Sequence, residues 1–212
     1  THQEFDSVEA WSTFDASKSV GNNADGIFEG PHQEFDSVES WSNNAKGYSG
    51  IVSDGQFLYF VPYHNGENFH GEVLRYDTSQ EFDSVEAWST FDASKNGVGN
   101  NAKGFGDGIF DGQFLYFVPI YNNENFHGEV LRYDTHQEFD SVEAWSTFDA
   151  SKNGVGYDAT GYWGGTFDGQ FLYFSPRIND GDGGEMNIIT GESDHGEVLR
   201  YDTHQEFDSV EA

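Results

Sequence analysis

Apolar residues along this chain come in short runs broken by glycine, aspartate and asparagine, the spacing of β-strands and tight turns. One stretch shows the whole pattern. A glycine-rich piece from Gly104 to Phe110 meets Asp111-Gly112, and the continuous run Phe114-Leu115-Tyr116-Phe117-Val118 follows, which is a strong hairpin signal. A polar loop from Asn122 to Gly128 leads to Val130-Leu131-Arg132-Tyr133, and Ala144-Trp145-Ser146-Thr147-Phe148 comes after a second polar connector. This pattern predicts four short antiparallel strands.

The pattern recurs. Asp-Gly-Gln-Phe-Leu-Tyr-Phe starts at Asp54, Asp111 and Asp168, two equal intervals that set the period of the chain. Gly-Glu-Val-Leu-Arg-Tyr-Asp-Thr starts at Gly71, Gly128 and Gly196. The step from Gly71 to Gly128 is one period, and the step from Gly128 to Gly196 is longer because of an insertion between Ser175 and His195. Glu81–Gly99 and Glu138–Gly156 are identical throughout, loops included, which indicates recent duplication or a demand for equivalent surfaces.

A glycine-rich first strand, an aromatic second, an Arg-Tyr-Asp third and a tryptophan-bearing fourth resemble kelch-like propeller blades, and Gly164-Gly165 matches the double glycine of that family. The resemblance implies an all-β, propeller-like tandem repeat of four-stranded antiparallel blades in one domain spanning 1–212. It carries architecture and no kelch function. The units run over about 17–46, 47–93, 104–150 and 161–212, three near-complete blades and one half blade. In the half blade Asp25-Gly26-Ile27-Phe28 runs directly into His32-Gln33-Glu34-Phe35, so its second and third strands are missing. Thr1–Ala10 repeats as Thr203–Ala212, and the last unit has no fourth strand of its own. Residues 1–16, with Trp11-Ser12-Thr13-Phe14, are expected to complete that unit within the chain, or to complete the unit of a neighbour and so build an oligomer or fibre.

Composition narrows the partners. Nine Lys and Arg against 38 Asp and Glu leave a formal charge of -29, a field that repels nucleic acid and anionic lipid headgroups. No segment approaches a membrane span. There is no cysteine for a disulfide framework and no Asn-x-Ser/Thr acceptor for N-glycosylation. Such acidity suits a saline or extracellular setting, a Ca2+-rich environment or simply solubility, and composition does not separate these; the expected localisation is extracellular or cell surface.

Candidate chemistry is sparse. His70, His127 and His195 precede the third strand of each unit, and equivalent positions around a ring stand too far apart to share a metal. Asp54, Asp111 and Asp168 read as turn residues. Trp11, Trp41, Trp88 and Trp145 read as packing between units. A nucleophile elbow, a phosphate loop and a His-Glu-x-x-His motif are absent, and repeated identical units work against the unlike environments that a catalytic carboxylate pair needs, so no enzyme is expected.

The binding candidates are aromatic. Trp163 stands where the other units have Gly106 and Ser49, beside Tyr162. Tyr63, Phe69, Tyr121 and Phe126 in the loops after the second strands, interleaved with Asn65 and Asn122, offer stacking faces and amides of the kind glycans use. In the insertion, Asp180, Asp182 and Glu185 alternate with glycine and could wrap Ca2+; no other cofactor is expected. The expectation is a non-enzymatic extracellular protein with multivalent, lectin-like carbohydrate binding. The alternative is a self-assembling filament or surface-layer subunit joined by its termini.

Overall fold

The computed structural model describes residues 12–19, 45–178 and 196–208. Within them, eleven strands form three antiparallel sheets. The first is β1 (Tyr48–Ser53), β2 (Phe57–Pro62), β3 (Glu72–Asp77) and β4 (Trp88–Asp92), and the second is β5 (Phe105–Phe110), β6 (Phe114–Pro119), β7 (Glu129–Asp134) and β8 (Trp145–Asp149). The third holds β9 (Tyr162–Phe167), β10 (Phe171–Pro176) and β11 (Leu199–Asp202). Helix among the described residues is confined to one turn at Ala16–Ser19 and to 3-10 turns at Val85–Ala87 and Val142–Ala144.

Each sheet is a meander whose first hairpin is set by local chemistry. Asp54 Oδ1 accepts the backbone N–H groups of Gln56 at 2.8 Å and Phe57 at 2.7 Å, and its other oxygen accepts the Tyr59 hydroxyl at 2.7 Å. Asp111 and Asp168 repeat the arrangement with Tyr116 and Tyr173. The glycine that follows takes φ of +102°, +110° and +105° in the three turns, a conformation that costs a residue with a Cβ.

Aromatic packing joins successive sheets. The Trp145 indole lies flat on Phe91 of the preceding unit, centroids 4.7 Å apart, stacks on Tyr133 at 4.5 Å, and donates its N–H to the Phe139 carbonyl at 3.0 Å. Trp88 stacks in the same way on Phe14 at 4.7 Å and on Tyr76 at 4.6 Å. The Arg75 guanidinium sits between Phe57 and Phe139, 4.4 and 4.2 Å from their centroids, and Arg132 does the same between Phe114 and Phe207. Packing between units was the expectation for these tryptophans, and Trp88 and Trp145 meet it; Trp11 and Trp41 lie outside the described residues.

The first strands stand side by side, β5 against both β1 and β9. Glycine makes this approach possible. A Cβ on Gly108 would come within 2.7 Å of the Val52 side chain, and one on Gly106 within 2.5 Å of the Trp163 carbonyl. Gly165 likewise faces Ile109. β1 and β9 make no comparable contact, and among the described residues the three sheets do not close into a ring. Among the described residues the third sheet ends at β11, and residues 12–15 are in no strand. Most of the truncated unit 17–46 lies outside the described residues.

Candidate ligand site at the loop end of the sheets

The loops joining second and third strands are extensions of their hairpins. An isolated bridge pairs His64 with Phe69, and another pairs Tyr121 with Phe126. The tip is closed by asparagine: Asn65 Oδ1 accepts the N–H groups of Glu67 at 3.0 Å and Asn68 at 2.9 Å, and Asn122 Oδ1 those of Glu124 and Asn125 at 3.0 and 2.9 Å. Asn65 and Asn122, expected beside the ligand, therefore hold the loops in shape and do not line the cavity that these loops enclose.

The two loops are also clasped to each other. Asn123 adopts φ of +82°, and its side-chain amide accepts the Phe69 N–H at 2.7 Å and donates to the Phe69 carbonyl at 3.0 Å. This fixes Phe69 in a row of edge-to-face rings. Tyr63 and Phe69 are 5.0 Å apart, Phe69 and Tyr121 5.1 Å, Tyr121 and Phe126 5.2 Å.

The row walls a cavity of about 210 Å3, completed by Ile120 and by Tyr162, Trp163, Arg177 and Ile178 of the third unit. Trp163 remains 43% exposed, and its ring makes an edge-to-face contact with Tyr63 at 6.3 Å. The Arg177 guanidinium covers the ring 3.9 Å from its centroid. Six of the eight aromatic and amide positions read from the sequence thus line one cavity, built from three units.

Ile120, Arg177, Ile178 and Asn123 were not expected there. A signal existed: Tyr63, Ile120 and Arg177 lie one period apart and form one column of the repeat, as do His64, Tyr121 and Ile178. Tyr63 and Tyr121, read together as equivalent aromatics, belong to neighbouring columns.

His70 and His127 directly follow Phe69 and Phe126 of this wall in the chain. His70 Nε2 is 3.1 Å from the Gly47 carbonyl, and burial lowers the pKa of its imidazole. His127 is buried in the matching place, where loss of solvent pulls its pKa from 6.5 down to about 4. Among the described residues no group of three or more His, Asp or Glu could hold a metal ion. His195 and the proposed Ca2+ set Asp180, Asp182 and Glu185 lie outside the described residues.

The cavity offers stacking faces, tyrosine phenol groups and one guanidinium. The chain matches no known family model and no curated protein.

Proposed function

We propose that this is a non-catalytic, extracellular binding protein of propeller-like architecture, and that the aromatic cavity takes a single sugar ring. The observation that carries this reading is the convergence of Tyr63, Phe69, Tyr121, Phe126 and Trp163 on one space. A volume of about 210 Å3 falls below the range of about 300–1,000 Å3 usual for larger ligands, which favours one pyranose over an extended chain. Aromatic faces stack on the C–H surface of a pyranose, while Arg177 and the tyrosine hydroxyls meet its hydroxyl groups. Multivalency, on this reading, comes from several chains and not from several sites within one.

The propeller assignment belongs to the same proposal. It is supported by the meandering sheets, the neighbouring glycine-rich first strands and the aromatic stacking from each unit to the next.

The test is a titration of tryptophan fluorescence with a panel of monosaccharides. A binder should shift the emission of the half-exposed Trp163, and Trp163→Ala should abolish the shift and weaken affinity at least tenfold, about 1.4 kcal/mol. If no sugar perturbs the emission while small aromatic compounds do, the cavity is an apolar site and the carbohydrate reading fails.

A further inference from the structure

One column of the repeat places a different side chain in the wall of the aromatic cavity from each unit. Tyr63, Ile120 and Arg177 each follow the proline that ends a second strand, Pro62, Pro119 and Pro176. Each donates its backbone N–H to the glycine carbonyl ahead of the unit's first strand: Gly47 at 3.0 Å, Gly104 at 3.1 Å and Gly161 at 3.2 Å. The backbone slot is therefore the same three times over, and all three side chains line the cavity. What varies is the chemistry, a phenol, an alkyl group and a guanidinium.

Arg177 is placed unlike the arginines that pack the sheets together. Arg75 and Arg132 each lie between two rings and donate Nε–H to a serine hydroxyl, Ser89 and Ser146, at 3.1 Å. Arg177 lies over Trp163 alone, is exposed, and among the described residues has neither a side-chain hydrogen bond nor a carboxylate partner. A guanidinium drawn to a ring face uses none of its five N–H donors in that contact, so the donors stay free for a ligand. Although the chain carries 38 Asp and Glu, none of them is among the residues lining the cavity, and Arg177 is the one charge on its wall. That charge also works against the other occupant that aromatic walls suit, a quaternary ammonium, because the guanidinium already covers the indole and repels a second cation.

We infer that the cavity selects a carboxylated pyranose, a hexuronic acid, and that Arg177 is the group that reads its carboxylate. This deepens the reading of the cavity as a sugar site and rests on it. The aromatic row holds the ring as it would hold a neutral hexose, and the carboxylate accepts paired N–H groups from the guanidinium, a geometry that the neutral hydroxymethyl group in the same place cannot match. A hexuronic acid differs from the neutral hexose at that one group, so the volume of about 210 Å3 serves both. The charge of -29 on the chain confines the preference to a single carboxylate at Arg177, since a run of uronates would meet the repulsion of the whole surface.

The experiment is calorimetric titration of the full chain with matched sugars: glucose and glucuronate, galactose and galacturonate, mannose and mannuronate, and the methyl ester of each acid. The expected result is a pair in which the acid binds at least tenfold more tightly than both the neutral hexose and the uncharged ester. Arg177→Gln should remove that preference and leave affinity for the neutral hexose within about twofold of wild type. Arg177→Lys should restore part of it, because the charge returns without the planar fork. If acid and neutral hexose bind alike, the assignment to Arg177 is overturned while the sugar reading stands. If Arg177→Gln weakens both members of a pair equally, Arg177 serves only to hold Trp163, and the assignment is overturned in that case too. If no sugar binds, neutral or acidic, the sugar reading fails and this inference fails with it.

Discussion

The first and second units share most of their sequence, yet the same glutamate lives in different surroundings in each. Glu129, at the start of β7, is buried and accepts the backbone N–H groups of Asn100 and Asn101 at 2.8 and 2.9 Å, so its carboxylate pins the connector that arrives from the first unit. Gly99, with φ of +68°, leaves room for it, since any Cβ there would run into the carboxylate. In the third unit Glu197 does likewise, accepting from Tyr157 at 2.9 Å and Asp158 at 3.2 Å. Glu72 is as deeply buried, but among the described residues one of its oxygens has no hydrogen-bond partner. Burial first, and the nearby charge of Asp92 second, push its pKa from 4.5 up to about 7, with Lys95 opposing. One residue type at one position is a clamp in two units and a strained acid in the other. The connector residues one period before Asn100 and Asn101 are Asn43 and Asn44, which lie outside the described residues.

Removing the clamp should have the largest consequence. Glu129→Ala leaves two buried N–H groups without an acceptor, and hydrogen bonds to charged groups contribute about 1.5–3 kcal/mol each, so a loss of about 3 kcal/mol is expected in urea unfolding. A loss below about 1 kcal/mol would show that the connector is held by packing alone.

The next effect has the opposite sign. An acid whose pKa is raised on folding stabilises nothing when ionised: below pH 4.5 both states are protonated, and between 4.5 and about 7 the folded state progressively loses stability relative to the unfolded one. Glu72→Gln should therefore stabilise the protein by roughly 1–2 kcal/mol at pH 8 and leave it nearly unchanged at pH 4. His127 tilts the wild-type profile the other way, because its lowered pKa makes stability fall from pH 6.5 toward 4. The difference between wild type and variant at each pH cancels that contribution. Equal stabilisation at both pH values would mean that Glu72 is not the titrating group.

Much of this fold can be read from the chain because its determinants are local. Asp54, Asp111 and Asp168 turn hairpins through bonds to their own near neighbours, and alternation in Val130–Tyr133 marks a strand whatever it packs on. Trp145 is legible as an interface residue because it recurs with the period. The glutamates are not legible: Gly-Glu-Val-Leu looks like a strand that begins at the surface, and Glu129 becomes interior only once a connector 28 residues upstream wraps over it. The aromatic residues of the cavity are visible in the sequence, but their convergence is not, because a constant repeat spacing does not say which way two loops lean. What leans them is Asn123, whose backbone conformation looks in sequence like one more polar loop residue.

That position gives the smallest and most specific test of how the two units differ. Gly66 in the first loop and Asn123 in the second occupy the same place, with φ of +100° and +82°. Asparagine tolerates this conformation better than most residues, and Asn123 uses it to aim both ends of its amide at the Phe69 backbone. Asn123→Gly keeps the turn and removes the clasp. Two neutral, exposed hydrogen bonds are lost and glycine relieves the positive φ, so the net change should be about 0.5–1 kcal/mol of stability. The local effect should be larger than the global one, since Phe69 would then be held by ring contacts alone. Hydrogen exchange of the Phe69 amide should speed up by an order of magnitude while that of Val118 in β6 does not change. Ligand affinity should drop with it if the row of rings acts as one wall. Gly66→Asn should leave both quantities near wild type, because no preceding loop of the described residues offers its amide a partner like Phe69. If both amides of the Asn123→Gly variant exchange as in wild type, the clasp does not hold the wall, and the row of rings from Tyr63 to Phe126 is held by packing alone.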